Sequence, residues 1–299
     1  MKIFITLSSF QDNSSIEWQE YFYNYIKKKY KYQIRLIVFK NINNYQNILN
    51  IIDNEYEIGD FMINRIGGRD VKLFNKLYIF LHSKFKNNIF PRYDIYKYYD
   101  KKNLQHELFI KKKYSYPISQ ICKNKNMLND FKNKNNLSYP LIHKLYSGAG
   151  SSNISKIFNN NCSFPCIIQE FIEKNDYDIR IVTIDNIIYG IQRNNRLNDW
   201  RASGSGLIVL VDSLPIECVK FAYQISNENN FECMAYDFIY DYNKNKYLCL
   251  EFSYTFSFSV SSSYINYYYD ANNSFNKITL NNPIRAQDFI IDNLLKSTL

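Results

Sequence analysis

Asp237 and Glu251 are carboxylates whose spacing poses a chemical question. They sit on two short apolar runs, 234–240 and 247–254, joined by the polar stretch Asp241-Tyr242-Asn243-Lys244-Asn245-Lys246. If the runs pair as an antiparallel hairpin centred on Lys244, position 237 falls opposite position 251, with Cβ atoms roughly 5 Å apart. Two carboxylates at that separation repel unless one is protonated or a cation lies between them. A hard divalent ion takes oxygen ligands, and Mg2+ commonly binds one or two protein carboxylates while phosphate oxygens complete its shell. The hairpin therefore raises the question of a metal ion and a nucleotide.

The elements that must hold this pair are read from periodicity. Residues 3–7 form a β-type run, 16–30 carries helical spacing, 34–39 is strand-like, and 60–66 makes a third short strand. That order describes a small parallel α/β lobe. A helix follows over 71–85 after the Gly67-Gly68 break, and Pro91 marks a boundary. The pattern is helical from Asp100 to Lys112, and Tyr116-Pro117 closes it. Residues 139–145 are strand-like, and the loop Ser147-Gly148-Ala149-Gly150-Ser151-Ser152 leads into an expected second helix. After Pro165 come strands over 166–172, 178–183, 187–192 and 207–211, a helix over 214–227, and then the hairpin. The tail from Pro283 reads as a terminal amphipathic helix.

Composition narrows the class. At 299 residues and 46% hydrophobic, with 28 Tyr, 22 Phe, 8 Gly and 6 Pro, the chain can bury a large core and is neither disordered nor low-complexity. The net charge of +9 would suit an acidic partner, but the lysines are scattered and their short runs at 27–29 and 111–113 read as solvated helix faces. The aromatics recur inside apolar runs, as core residues do, so no nucleic-acid partner is expected. The six cysteines include no Cys-x2-Cys pair, so a structural zinc site is not expected. Reduced thiols and a cytoplasmic location fit best. No apolar stretch approaches the roughly 20 residues of a membrane span.

Four segments must be explained together: 139–144 (Tyr-Pro-Leu-Ile-His-Lys) with its small-residue loop, 168–172 (Ile-Gln-Glu-Phe-Ile), the stretch from Asp178 to Ser203, and the carboxylate hairpin. Their order and spacing resemble the ATP-grasp ligases, most closely the ribosomal protein S6 glutamate ligases and bacterial glutathione synthetases, over about residues 95–295. The most specific part is Asp178-Ile179-Arg180 followed by 191–203 (Ile-Gln-Arg-Asn-Asn-Arg-Leu-Asn-Asp-Trp-Arg-Ala-Ser), similar to the family's Asp-Ile-Arg strand and its downstream basic segment. The resemblance implies an α/β (α+β) chain with the ATP-grasp fold: an N-terminal parallel α/β lobe over 1–94, a small central lobe over 95–165, and a C-terminal antiparallel-sheet lobe over 166–299 that carries the hairpin.

The family pattern also assigns roles. Lys144, beside the loop that begins at Gly148, and Lys101, with Lys102 as its rival, would hold ATP phosphates. Glu170, Phe171 and Ile172 resemble the hinge whose backbone bonds the adenine edge, and Asp178, Ala202 and Ser203 fall at nucleotide-contacting positions. Arg193 and Arg201 look like the cations that face the transferred phosphate, whereas Arg180 would anchor its strand. Asp237, Glu251 and Ser253 match the magnesium ligands. Ser253 stands where the family usually has Asn, so one or two metal ions remain open; the loop also carries less glycine than its relatives.

The implied cofactors are ATP and Mg2+, with Mn2+ an alternative. The implied reaction joins a small-molecule or peptide carboxylate to an amine through an acyl phosphate, releasing ADP and phosphate. The competing expectation keeps the fold without the chemistry, as a silent ATP-binding regulatory or scaffold protein, and self-association is open. Arg65 and the segment 253–270 are expected to contribute to the acid or amine pocket.

Overall fold

In a computed structural model, residues 1–8, 13–30, 33–39, 45–64, 71–99, 101–147, 153–254 and 264–296 are described. The chain divides into two units, one of residues 1–97, 254–267 and 279–299, the other of residues 98–253 and 268–278.

The first unit begins with strand β1 (Lys2–Ser8), in which Ile3, Phe4 and Ile5 are all buried. A strand apolar on both faces needs cover on both faces, which is what helical crossovers provide in a parallel sheet. Helix α1 (Asn13–Tyr30) leads to β2 (Gln33–Phe39), α2 (Tyr45–Glu55) to β3 (Phe61–Ile63), and α3 (Val71–Phe85) to β4 (Ile89–Phe90), which Pro91 ends before the short α4 (Tyr93–Tyr96). The strands pair in parallel in the order β2-β1-β3-β4. Phe4, Ile37, Ile52, Met62 and Leu81 pack one side of this sheet. The terminal helix α8 (Ala286–Lys296) belongs to this unit and docks on α1: Tyr21 donates to Asp288 at 2.6 Å, and Tyr25 donates to Asp292. Arg65 lies outside the described residues.

In the second unit, α5 (Lys102–Lys112) precedes a four-stranded antiparallel sheet. Its strands are β5 (Ser119–Cys122), β6 (Leu141–Lys144), β7 (Ile154–Ile157) and β8 (Cys166–Glu170), in the order β5-β8-β6-β7. The second helix expected after the small-residue loop is not there. The loop closes a hairpin, with Lys144 opposite Ile154 and Leu141 opposite Ile157, because β-branched residues on a pleat complete the sheet. Helix α6 (Lys125–Lys134), capped by Asn124, covers one face of this sheet through Leu128 and Phe131, which pack with Leu141, Cys166 and Ile168. Alternation then turns Ile142, Lys144, Ile167 and Gln169 to the opposite face.

The larger sheet runs β13-β12-β9-β10-β14-β15, from β9 (Tyr177–Ile184), β10 (Ile187–Asn194), β12 (Cys233–Asp241), β13 (Lys246–Ser253), β14 (Tyr264–Asp270) and β15 (Asn276–Arg285). The two-residue β11 (Ile208–Val209) pairs with β10, and α7 (Ile216–Asn229) packs on β9 and β12. Gly190 lets β9 and β10 close up, since a Cβ there would lie 2.4 Å from the Arg180 carbonyl oxygen. The parallel sheet, antiparallel sheets and helices together give the expected α/β (α+β) class.

Candidate active site

The β12–β13 hairpin places Asp237 opposite Glu251 and Ala235 opposite Ser253. A bulge makes this so: near the turn Phe238 pairs with Cys249 and Tyr240 with Tyr247, one residue off a hairpin centred on Lys244. Leu250 is the extra residue that restores the register and returns Glu251 to Asp237. Gln105 of α5 fixes the strand beyond the bulge. Its side-chain amide donates to the Phe252 carbonyl at 2.9 Å and accepts from the Phe252 amide at 3.2 Å, so it acts as a strand neighbour between Glu251 and Ser253.

Register carries the charge pattern across the sheet. Arg193 on β10 faces Asp178 on β9, and Arg180 on β9 faces Asp237 on β12. Arg193 donates to Asp178 through Nε at 2.7 Å and Nη2 at 2.5 Å, and Arg180 donates to Asp237 through Nε at 2.8 Å and Nη2 at 2.9 Å. Arg193 Nη2 also lies 2.8 Å from Asp237 Oδ2, joining the pairs into one buried network. Burial would raise the Asp237 carboxyl, but the two guanidinium groups hold it well below the usual carboxylate range. Burial pushes Asp178, with only Arg193 paired to it, up to about 6.

This corrects the electrostatic reasoning from sequence: the cation that Asp237 requires is supplied by Arg180 and Arg193. The row of two guanidiniums and three carboxylates (Asp178, Asp237, Glu251) still carries a net −1. The side chain of Glu251 forms no hydrogen bond or ion pair among the described residues. Asp237 Oδ1 accepts one hydrogen bond, from Arg180 Nε, and so keeps a lone pair. Free oxygens of Glu251 and Asp237, with the Ser253 hydroxyl two residues along the same strand face, form a hard donor set that fits Mg2+ with phosphate and water completing its shell.

Lys144 enters from the other sheet. It is 8% exposed, and its ammonium forms no hydrogen bond or ion pair among the described residues. Burial pushes it down to about 8, with Glu251 drawing it back up and Lys102 pushing further down. Lys102 is itself buried and lines the same recess with Lys144, Gln169 and Glu251, whereas Lys101 is the half-buried cap of α5 and lies off that wall. His106 there is pushed by burial down to about 4 and stays neutral.

An open cavity joins these groups. Lys144, Gln169, Asp178, Asp237 and Glu251 line it, with Glu170, Phe171 and Ile172 at one edge and Trp200 to Ser203 at another. The Glu170 side chain accepts from the Ile118 amide and from Lys244 Nζ, each at 2.7 Å, so this edge is tied to the turn of the carboxylate hairpin. Phe171 and Trp200 meet edge to face at 5.8 Å, and Lys156 Nζ stands 3.8 Å from the Phe171 ring centroid. Arg201 reaches the cavity with its guanidinium bonded to Asp199. Arg193 is not brought to the cavity wall; it lies behind Asp178 and Asp237. Gly148 and the loop through Ser152 fall outside the described residues, as do residues 255–263, half of the 253–270 segment. Gln105 and Lys156 carry no sequence signal that singles them out.

A model of the RimK-like ATP-grasp domain matches residues 99–267, more than half of the chain. The chain belongs to this family of ATP-dependent ligases. Solved structures agree on the fold. A RiPP-associated ATP-grasp ligase from Chryseobacterium gregarium, in complex with ADP and a leader and core peptide, is 18% identical with a TM-score of 0.59, covering 86% of this chain and 90% of its own. D-alanine–D-alanine ligase from Bacillus anthracis complexed with ATP is 14% identical with a TM-score of 0.61, covering 100% and 97%. A RimK domain ATP-grasp protein from Sphaerobacter thermophilus is 10% identical with a TM-score of 0.56, covering 85% and 92%. No curated protein matches. No helix among the described residues is long and apolar enough to cross a membrane.

Proposed function

We propose that the cavity binds Mg-ATP and that the chain joins a carboxylate to an amine through an acyl phosphate. The observation that carries this reading is the Lys144 ammonium and the Glu251 carboxylate, each unpaired among the described residues, on one cavity wall, a cation for phosphate beside an anion for metal. Phe171 and Trp200 give a planar base an aromatic edge, and the backbone of 170–172 offers it hydrogen bonds. Lys102 is the better placed of the two candidate lysines to reach phosphate. Mg2+ or Mn2+, held by Asp237, Glu251 and Ser253, would neutralise charge on the phosphates.

In the proposed reaction a substrate carboxylate oxygen attacks the γ-phosphorus of ATP and ADP leaves. An amine then attacks the acyl carbon, and phosphate departs as the amide forms. The chain supplies no nucleophile. Lys144, Lys102 and Arg201 offset phosphoryl charge, and Asp178 with Arg193 and Arg180 hold Asp237 in place for the metal. Peptide complexes among the structural neighbours support a peptide as one substrate, and small acids and amines fit equally. Six free cysteines support a reducing, cytoplasmic setting.

A screen of paired acids, peptides and amines for ADP release, with mass spectrometry of the product, tests the reading. Turnover with at least one pair that is lost in Glu251→Ala is expected. Nucleotide binding with no turnover under every mixture would instead support the silent scaffold, the reading favoured by Ser253 at the usual Asn position.

A further inference from the structure

The face of the four-stranded sheet turned away from Lys144 carries a second set of donor atoms with different chemistry. A ring nitrogen of His143 and the sulfurs of Cys162 and Cys166 all lie within 4.8 Å of one another. His143 is 7% exposed and Cys166 fully buried, so this imidazole sits among thiols rather than in water. Cys122 lies directly opposite Cys166 on the neighbouring strand, and both belong to the cluster beneath α6, so its sulfur shares that side of the sheet. All four side chains come from the sheet or the 158–165 connection, and all the cysteines are free thiols.

We propose that His143, Cys162 and Cys166, with Cys122 as the fourth ligand, form a structural Zn2+ site. Imidazole and thiolate donors select a borderline-soft cation of this kind and reject Mg2+, so the oxygen donors of the hairpin and the N/S donors here sort two metals within one unit. Cys162 and Cys166 are separated by three residues, inside the spacing of paired zinc cysteines. Tetrahedral bonds of about 2.3 Å to sulfur and 2.0–2.1 Å to nitrogen set neighbouring donors about 3.6–3.8 Å apart. For His143, Cys162 and Cys166, closing from 4.8 Å or less takes a shift of about 1 Å, within side-chain reach, and Cys122, outside that group, has further to move.

The imidazole is already oriented. His143 Nε2 lies 3.1 Å from the Ser163 carbonyl oxygen, and donation there leaves Nδ1 with its lone pair, the arrangement that fixes ligating histidines. A core built only for packing gains nothing from an imidazole set against two sulfurs, and a disulfide would leave it without a role. Zn2+ uptake replaces one proton on each thiol it binds, and those protons go to solvent. The ion would clamp the 158–165 connection to β6, the strand that presents Lys144 on its other face.

Titration of the metal-free, reduced full-length chain with Co2+ tests this independently of nucleotide. Saturation at one ion per chain is expected, with thiolate-to-cobalt charge-transfer absorption and the visible bands of a tetrahedral site, all displaced by Zn2+. Cys162→Ser should abolish the charge-transfer band or cut the affinity at least tenfold, while Cys218→Ser on α7 retains it. Absence of the band in wild type, or its persistence in Cys162→Ser, overturns the proposal. Should Cys162→Ser fail to fold, X-ray absorption of Zn-loaded wild type decides: a shell containing sulfur and imidazole supports the site, and a shell of oxygen and nitrogen alone overturns it.

Discussion

Replacing Lys144 with methionine should stabilise the nucleotide-free protein while removing most of its affinity for nucleotide. Lys144 is 8% exposed and its ammonium is unpaired among the described residues, and burial pushes it from 10.5 down to about 8. One pKa unit corresponds to ~1.4 kcal/mol, so keeping the charge at neutral pH costs about 3 kcal/mol relative to the unfolded chain. Because the folded pKa is depressed, this group's contribution to stability is complete above 10.5, declines as pH falls through about 8, and is absent at pH 7. Methionine keeps the length without the charge. The variant should gain about 2–3 kcal/mol at pH 7, the lost attraction to Glu251 accounting for the shortfall, or roughly 4–12 °C in Tm for a unit of this size.

Calorimetric unfolding across neutral to alkaline pH, with and without Mg and a non-hydrolysable ATP analogue, measures both effects. Wild type should grow more stable between about pH 8 and 10 and gain further from nucleotide; Lys144→Met should lose the pH rise and the nucleotide gain. A variant less stable than wild type at pH 7, or one still stabilised fully by nucleotide, refutes the reasoning.

Arg193→Met leaves two buried carboxylates short of a partner, so it should cost about 3–5 kcal/mol in urea unfolding; unchanged stability with turnover alone lost would mean that Arg193 acts on substrate instead. Gly190→Ala forces a Cβ to within 2.4 Å of the Arg180 carbonyl oxygen. It should lower stability by about 1–3 kcal/mol through separation of β9 from β10, read as a lower urea midpoint. Lys102→Ala should weaken nucleotide binding at least tenfold in calorimetric titration, and Lys101→Ala less than twofold.

Much of the architecture was legible because it is local. The parallel lobe follows from apolar runs alternating with helical spacing, and the hairpin from two runs around a polar turn. The pairing of Asp237 with Glu251 emerged from counting back from Lys244, but the true register near the turn is one residue different and only the bulge at Leu250 brings the pair together. Bulges leave no periodic trace. The Arg180–Asp237 pairing was hidden for another reason: β9 and β12 are neighbours only because the chain passes through β10, β11 and α7 before returning. Helix α6 leaves little periodic signal, since Leu128 and Phe131 are its only buried residues in a Lys- and Asn-rich stretch. Cys162 and Cys166 are close in sequence, as Cys-x3-Cys rather than Cys-x2-Cys, but Cys122 and His143 lie on other segments that only the folded sheet gathers beside them.

The most direct test of the site is calorimetric titration of the chain with a non-hydrolysable ATP analogue, with and without Mg2+. One nucleotide per chain is predicted, bound more tightly with Mg2+, with the magnesium enhancement lost in Glu251→Gln and affinity reduced at least tenfold in Lys144→Ala. Binding that neither substitution alters, or no binding at all, would contradict it.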